Sequence, residues 1–317
     1  MVTIKDIAQE LGFSHSVVSR ALNPNPDSNA RVSPQTRQLI ESKAQSMGYQ
    51  PNRIAEFMKR GRSAAIGVFL PEYSNRLIAD LVIGISEAAN KHGFPINLYF
   101  GLSYASYSAF IKKNIKNTSS GIISYSYNIE EDRSTDALIH EYISVGGKAI
   151  LLNAAPNSHL PVLYMDEKHG SLCAAECLLQ KNCACYLVSN GFKPRADFFM
   201  EYITKKGLPC KSFELENFNN TFNPAVAPTG IFATTDQEAL CVIKYLKTTG
   251  AQLGRDVFIV GYDDLELTGM FDPPLTTIHQ PFRAQGFRAV EKLINLIYGN
   301  DEPDEAVIPY LVKRDTA

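Results

Sequence analysis

Within the first 22 residues, two apolar stripes of helical spacing are separated by the short punctuation Gly12-Phe13-Ser14. Ile4, Ile7, Ala8 and Leu11 fall at i, i+3, i+4 and i+7, one face of a helix. Thr3-Ile4-Lys5-Asp6 has capping-box form, with Asp in place of the usual Glu or Gln. Gly12 ends this helix because it takes positive φ at little cost. Ser14 caps a second helix reaching about Leu22, whose apolar side is Val17, Val18, Ala21 and Leu22. Two short helices joined by about three residues including a glycine form the helix-turn-helix signature. A third helix begins at the cap Ser33 with Pro34 at its first position, carries Ile40, Ala44 and Met47, and stops at Gly48. The polar, proline-rich stretch from Asn23 to Arg31 separates it from the second. Pro51 starts a short fourth helix through about Lys59, and Gly61-Arg62-Ser63 reads as a linker.

Charge follows the same division. Residues 1–62 hold nine Lys or Arg against five Asp or Glu, a surplus of four positive charges, while the whole 317-residue chain carries −2. A small basic head on an acidic body suits a polyanion-binding module joined to something else. No apolar run approaches the ~18 residues that span a bilayer. The start Met1-Val2-Thr3-Ile4-Lys5-Asp6 lacks the basic and apolar stretches of an export signal. These features point to a cytoplasmic protein without a membrane partner. The cysteines at 173, 177, 183, 185, 210 and 241 form no C-x-x-C pair and no zinc spacing, so no metal is expected. Small reduced thiols are the simple reading, and a redox role for the group from Cys173 to Cys185 is the other.

From residue 64, strand-like runs alternate with helical patterns. Strands are expected at Ala65–Leu70, Ile96–Phe100, Gly121–Ser126, Lys148–Ala154, Val162–Met165, Tyr186–Ser189, Thr229–Ala233 and Val257–Gly261. Helices are expected around Leu77–His92, Ala105–Lys116, Ser134–Val145 and Gln237–Thr249. Short apolar strands alternating with helices imply a parallel α/β sheet.

The head's motifs, in order, are Thr3-Ile4-Lys5-Asp6-Ile7-Ala8, Val17-Val18-Ser19-Arg20-Ala21-Leu22-Asn23, Val32-Ser33 with Thr36-Arg37, and Gly48-Tyr49-Gln50-Pro51-Asn52. In these the chain resembles the LacI/GalR family of bacterial transcription regulators. The resemblance implies that the second helix lies in the major groove of DNA. His15, Ser16 and Arg20 then occupy the base-reading positions, and Arg can fork onto guanine O6 and N7. On the residues alone, His15 and Ser16 are equally ordinary exposed helix residues. Thr3, Ser14 and Ser19 are either phosphate contacts or caps. The segment after Pro51 resembles the family's hinge helix, which enters the minor groove with an apolar wedge. That assigns minor-groove contacts to Asn52, Ala55, Phe57 and Met58, with Met58 at the wedge position usually held by leucine. The alternative is that Met58 packs on its own domain. So short a helix is marginal alone, and ordering mainly on DNA is expected.

The remainder resembles the family's effector-binding core. It matches in Asp166 with Gly170 and Leu178, in Phe232-Ala233-Thr234-Thr235-Asp236-Gln237-Glu238-Ala239-Leu240, in Val260-Gly261-Tyr262-Asp263-Asp264, in the stretch from Pro273 to Gln280, and in Leu311-Val312-Lys313-Arg314. The implied fold class is α/β: an all-α helix-turn-helix N-terminal domain plus a two-lobed, Rossmann-like core of periplasmic-binding-protein type. The expected domains are 1–50 for the head, 51–63 for the hinge helix and linker, and 64–317 for the core. Lobe 1 is about 64–161 and 281–305, and lobe 2 about 162–280 and 306–317. The resemblance places the effector contacts at Asn75, Arg195, Asp236 and Gln280 in the interlobe cleft. Asp236 suits equally a first-turn acid at a helix N-terminus. Only 41 steps separate Arg195 from Asp236. That is fewer than the family normally has, so lobe 2 is expected to be shortened by about one strand-helix unit.

Together these readings imply a homodimeric, sequence-specific regulator, a repressor, acting on a pseudo-palindromic double-stranded operator. A small molecule such as a sugar or related metabolite would modulate it. The alternative is a cytosolic sugar-binding protein without operator-specific regulation. There is no G-x-G-x-x-G after the first strand, no P-loop and no G-x-S-x-G, so neither an enzyme nor a cofactor is expected. Asp263 and Asp264 are adjacent in extended chain and point apart, which disfavours paired acid-base work.

Overall fold

A computed structural model describes residues 2–23, 31–49, 53–59, 61–72, 76–125, 135–155 and 159–317, with backbone alone at 53–55. The head is all-α: α1 (Ile4–Leu11), α2 (His15–Ala21) and α3 (Pro34–Ser46). Each begins at a hydroxyl cap. Thr3 Oγ1 accepts from the Asp6 amide while the Asp6 carboxylate accepts from the Thr3 amide, closing the box the sequence predicts. Ser14 accepts from the Val17 amide and Ser33 from the Thr36 amide. Gly12, at φ 69°, turns α1 toward α2. The stripes meet in a small core of Ile7, Ala8, Val18, Ala21, Ile40 and Ala44.

After α4 (Arg53–Lys59) the chain becomes α/β. In order come β1 (Ser63–Leu70), α5 (Arg76–His92), β2 (Ile96–Phe100), α6 (Tyr104–Lys116), β3 (Ser119–Tyr125), α7 (Asp136–Ser144), β4 (Lys148–Leu152) and β5 (Val162–Met165). They are followed by α8 (Glu167–Leu179), β6 (Cys185–Ser189), α9 (Lys193–Lys205), β7 (Cys210–Phe213), α10 (Phe218–Thr221), β8 (Thr229–Phe232) and α11 (Asp236–Thr249). The series closes with β9 (Val257–Asp263), β10 (Thr276–His279), α12 (Phe282–Ile297), β11 (Glu305–Val307) and β12 (Tyr310–Val312). The strands form two six-stranded sheets, ordered β11-β5-β4-β3-β1-β2 and β12-β10-β9-β8-β6-β7. From β5 to β2, and from β10 to β7, neighbouring strands run parallel; β12 joins β10 antiparallel. β8 is buried throughout and β3 nearly so, as expected of parallel strands covered on both faces.

The chain divides into two compact units. One comprises Met1–Tyr73, Leu81–Leu163 and Gly286–Asp304, the other Ser74–Asp80, Tyr164–Gln285 and Glu305–Ala317. Within the first, a Cβ on Gly286 would meet the Leu81 carbonyl oxygen at 2.2 Å, so only glycine lets α12 lie this close to α5. In the second, β7 is present but its link to β8 is short. A 3₁₀ turn (Leu215–Asn217) and the four-residue α10 are the helical elements of that link. Aromatic packing fills the space: Phe218 contacts Phe213, Phe222 and Tyr245 at centroid distances of 4.8, 5.5 and 5.3 Å.

Candidate nucleic-acid interface and ligand-binding cluster

Helix α2 has one face committed and one open. Val18 and Ala21 are buried against α1 and α3. His15, Ser16 and Arg20 are exposed. Ser16 and Arg20 stand four residues apart and therefore share a face. The side chains of Arg20 and His15 have no hydrogen bond or ion pair to any described residue, so their polar groups are available to a partner. Ser16 Oγ lies 3.0 Å from Ser14 Oγ. Thr3 and Ser14 are exposed caps with occupied hydroxyls, and Ser19 is half-buried at the side of α2.

Helix α4 departs from one expectation. Phe57, assigned to the minor groove, is only 1% exposed and is turned inward. Its ring packs edge-on against Phe94 (5.5 Å) and Tyr298 (6.3 Å). Burying such a ring contributes about 1.5–3 kcal/mol, which outweighs any preference for the outer face. Met58, one residue on, is 72% exposed and is the apolar side chain that α4 presents outward among the described residues. The Tyr298 hydroxyl donates to the Glu56 carboxylate at 3.2 Å. Gly61, at φ 66°, stops the helix with its amide on the Met58 carbonyl. Asn52 and Asn75 lie outside the described residues, and of Ala55 only the helical backbone is described.

The second unit gathers polar side chains at the carboxyl ends of β6, β8, β9 and β10. Arg195, in the first turn of α9, is the hub. Its Nε and Nη2 donate to the two oxygens of Glu167 at 2.7 and 3.1 Å. Nη1 donates to the Thr234 carbonyl at 2.8 Å and lies 3.4 Å from Asp263 Oδ1. The guanidinium stacks over Tyr262 at 3.6 Å and Phe192 at 4.5 Å. Gln280 Nε2 donates to the same Asp263 oxygen at 2.7 Å. Arg195 and Gln280 thus converge on Asp263, and burial, only partly offset by Arg195, pushes its carboxyl up to about 6. Asp263 sits at φ 117° and Asp264 at φ 51°, a left-handed turn costly for residues with a Cβ. Their carboxylates diverge. Asp264 accepts from Arg314 Nη2 at 2.6 Å and meets His279 Nδ1 at 3.0 Å. Those hydrogen bonds outweigh burial and hold the Asp264 carboxyl below its usual range.

Asp236, at the start of α11, does not join that convergence. It is 1% exposed, with Oδ1 accepting from the Thr277 hydroxyl (2.6 Å) and Oδ2 from the Leu265 amide (2.8 Å). A Cβ on Gly261 would meet Oδ1 at 2.3 Å. This acid pins the turn after β9, and burial raises its carboxyl to about 7. A second buried acid, Glu238, accepts from the hydroxyls of Ser189 (2.8 Å) and Thr234 (2.6 Å) and from the Gly191 amide (3.0 Å), fixing the turn between β6 and α9. The sequence reading missed Glu167, Asp263 and Glu238 as site residues. Asp263 lay inside a quoted motif, but its contacts come from 68 and 17 positions away, beyond any local spacing. The cysteines are all free thiols. Burial pushes Cys183 and Cys210 up to about 12, so thiolate chemistry is suppressed there.

An open recognition helix on a three-helix head, joined to two parallel α/β sheets, defines a helix-turn-helix regulator with a ligand-binding type of core. Residues 3–52 match the family described as bacterial regulatory proteins, lacI family, and residues 188–317 match the periplasmic binding protein-like domain. Over 333 residues the chain is 26% identical to the lactose operon repressor of Escherichia coli (strain K12), covering 99% of this chain and 90% of that protein. It is 27% identical over 336 residues to catabolite control protein A of Priestia megaterium, covering 99% and 97%. The crystal structure of the lac repressor dimer bound to operator and the anti-inducer ONPF has the same fold, with a TM-score of 0.69 at 22% identity over 99% and 98% of the two chains. The chain thus carries a lacI-family helix-turn-helix head and a periplasmic-binding-protein-like core, the pairing of a DNA-binding transcription regulator. Among the described residues, no helix is long and apolar enough to cross a membrane.

Proposed function

We propose that the protein is a cytoplasmic, homodimeric repressor that binds a two-fold symmetric operator and answers to a small hydroxyl-rich metabolite, with no catalytic step. The observation that carries this reading is the outward face of α2, where His15, Ser16 and Arg20 stand exposed above a helix whose other face is buried. Arg20 supplies the fork for a guanine, Ser16 and His15 adjust neighbouring positions, and Thr3, Ser14 and Ser19 meet phosphates. Met58, together with Ala55 and Asn52, is assigned to the minor groove, where an exposed thioether has the volume of a wedge. The domains in this reading are the head to about residue 50, the hinge to 63, and the two-lobed core beyond.

For the metabolite, the supporting arrangement is Arg195, Gln280 and Asp263 beside the rings of Tyr262 and Phe192. A cation, an amide and a carboxylate against aromatic walls suit sugar hydroxyls. Asn75 belongs to the same assignment, and Asp236 acts on it by holding the Leu265 turn in place. The lac repressor's operator and its anti-inducer support the same pairing of sites here. The sugar-binding alternative without operator recognition leaves the open face of α2 without a purpose.

Selection of random duplexes by the purified protein tests the reading. The expected product is an inverted repeat, with affinity changed by one or more sugars in a metabolite panel. Recovery of duplexes with no common sequence would refute operator recognition.

A further inference from the structure

A helix the length of α4, Arg53–Lys59, has too few internal hydrogen bonds to persist in water, so whatever orders it must come from outside the helix. In this chain that support is intramolecular. Phe57 is 1% exposed between Phe94, two residues past the end of α5, and Tyr298, directly after α12. The Tyr298 hydroxyl donates to both carboxylate oxygens of Glu56 at 3.2 Å. The Arg62 amide closes on the Phe57 carbonyl at 3.0 Å, and the Arg62 guanidinium donates to the Val145 and Ser119 carbonyls at 2.9 and 2.6 Å. Adjacent positions on a helix point about 100° apart, so seating Phe57 inward fixes Met58 outward, where it is 72% exposed.

We infer that Phe57 and Tyr298 form an aromatic latch that orders α4 before DNA arrives and positions Met58 for the duplex. The inference rests on the proposed role of Met58 at the minor groove. A pre-ordered α4 removes the ordering cost from DNA binding, because a site populated only in part binds more weakly by that fraction. Phe57 and Tyr298 touch no DNA in this scheme; they act through the helix they hold.

The test uses the full-length protein, its Phe57→Ala, Phe57→Leu and Tyr298→Phe variants, and the duplex that the wild type selects. Without DNA, amides at 56–59 in the wild type exchange slowly, and Phe57→Ala speeds them roughly a hundredfold while amides of β1 and α12 keep their protection. Phe57→Leu restores most of that protection, and Tyr298→Phe, which keeps the ring, loses only a part. On the selected duplex, Phe57→Ala binds roughly tenfold more weakly or worse, and Phe57→Leu recovers most of the loss. Fast exchange in the wild type, unchanged exchange in Phe57→Ala, or equal affinity of the two proteins would each overturn the latch. Failure of the wild type to select any duplex would instead overturn the DNA-binding reading, and the exchange measurement would still decide whether Phe57 orders α4.

Discussion

Arg20 and Arg195 carry the same guanidinium into opposite environments. Arg20 stands in solvent with no described partner, whereas Arg195 is 6% exposed and spends its fork on Glu167. The first has contacts to give and the second exchanges contacts it already has. Arg20→Ala is accordingly expected to weaken duplex binding by about 1–3 kcal/mol and to relax preference at one base pair, read by repeating the selection with the variant. An unchanged preferred sequence would remove Arg20 from base reading. At Asp236 the expected effect is on stability. Its carboxyl titrates near 7 when folded against an ordinary 3.8, so between those values the folded protein holds a proton the unfolded chain has released. Stability therefore falls as pH rises from about 4 to about 7, then levels. Asp263, raised to about 6, adds a decline of the same sign that ends sooner. Asp236→Asn keeps an acceptor for the Leu265 amide and cannot titrate. The fall in thermal midpoint between pH 6 and 7 should largely vanish in this variant; if the slope persists, another group is responsible.

At the scale of elements, periodicity reached far. The stripes at Ile4, Ile7, Ala8 and Leu11 and at Ile40 and Ala44 became the buried faces of α1 and α3, and the strand runs from β1 to β5 fell within a residue or two where both are described. What the sequence concealed has physical reasons. β7 buries only Phe213 of its four residues, too short a pattern to read as alternation. Helix α8 is buried along Gly170, Ser171, Ala174, Ala175, Cys177 and Leu178, so small residues blur its stripe. The inward turn of Phe57 depends on Phe94 and Tyr298, 37 and 241 positions away. The neighbouring Met58 could be read from its position in the motif, and its exposure makes it the side chain to test. Met58→Gly should reduce the bend in a bound duplex more than it reduces major-groove contact. Mobility of circularly permuted duplexes measures the first and footprint protection the second; equal bending by both proteins would reject the wedge.

In the whole molecule, the head is one continuous stretch of sequence and the core is not. The chain passes between the two units at 73/74, 80/81, 163/164, 285/286 and 304/305. A fragment of residues 188–317 spans a recognised domain match, yet it lacks α8 and most of β6, which supply Ala174, Ala175, Leu178 and Tyr186 to the buried cluster. Such a fragment is expected to show no cooperative thermal transition by circular dichroism, and a sharp one would mean that those residues are dispensable to the core. Interleaving also has a consequence for the newborn chain. The Thr316 hydroxyl donates to the Ile259 carbonyl and Ala317 is 3% exposed, so the second unit cannot close until translation has passed residue 317. At ribosomal speed the three helices of the head emerge on the order of ten seconds or more ahead of that moment. For that interval each nascent polypeptide carries a finished three-helix head while the core is still being translated.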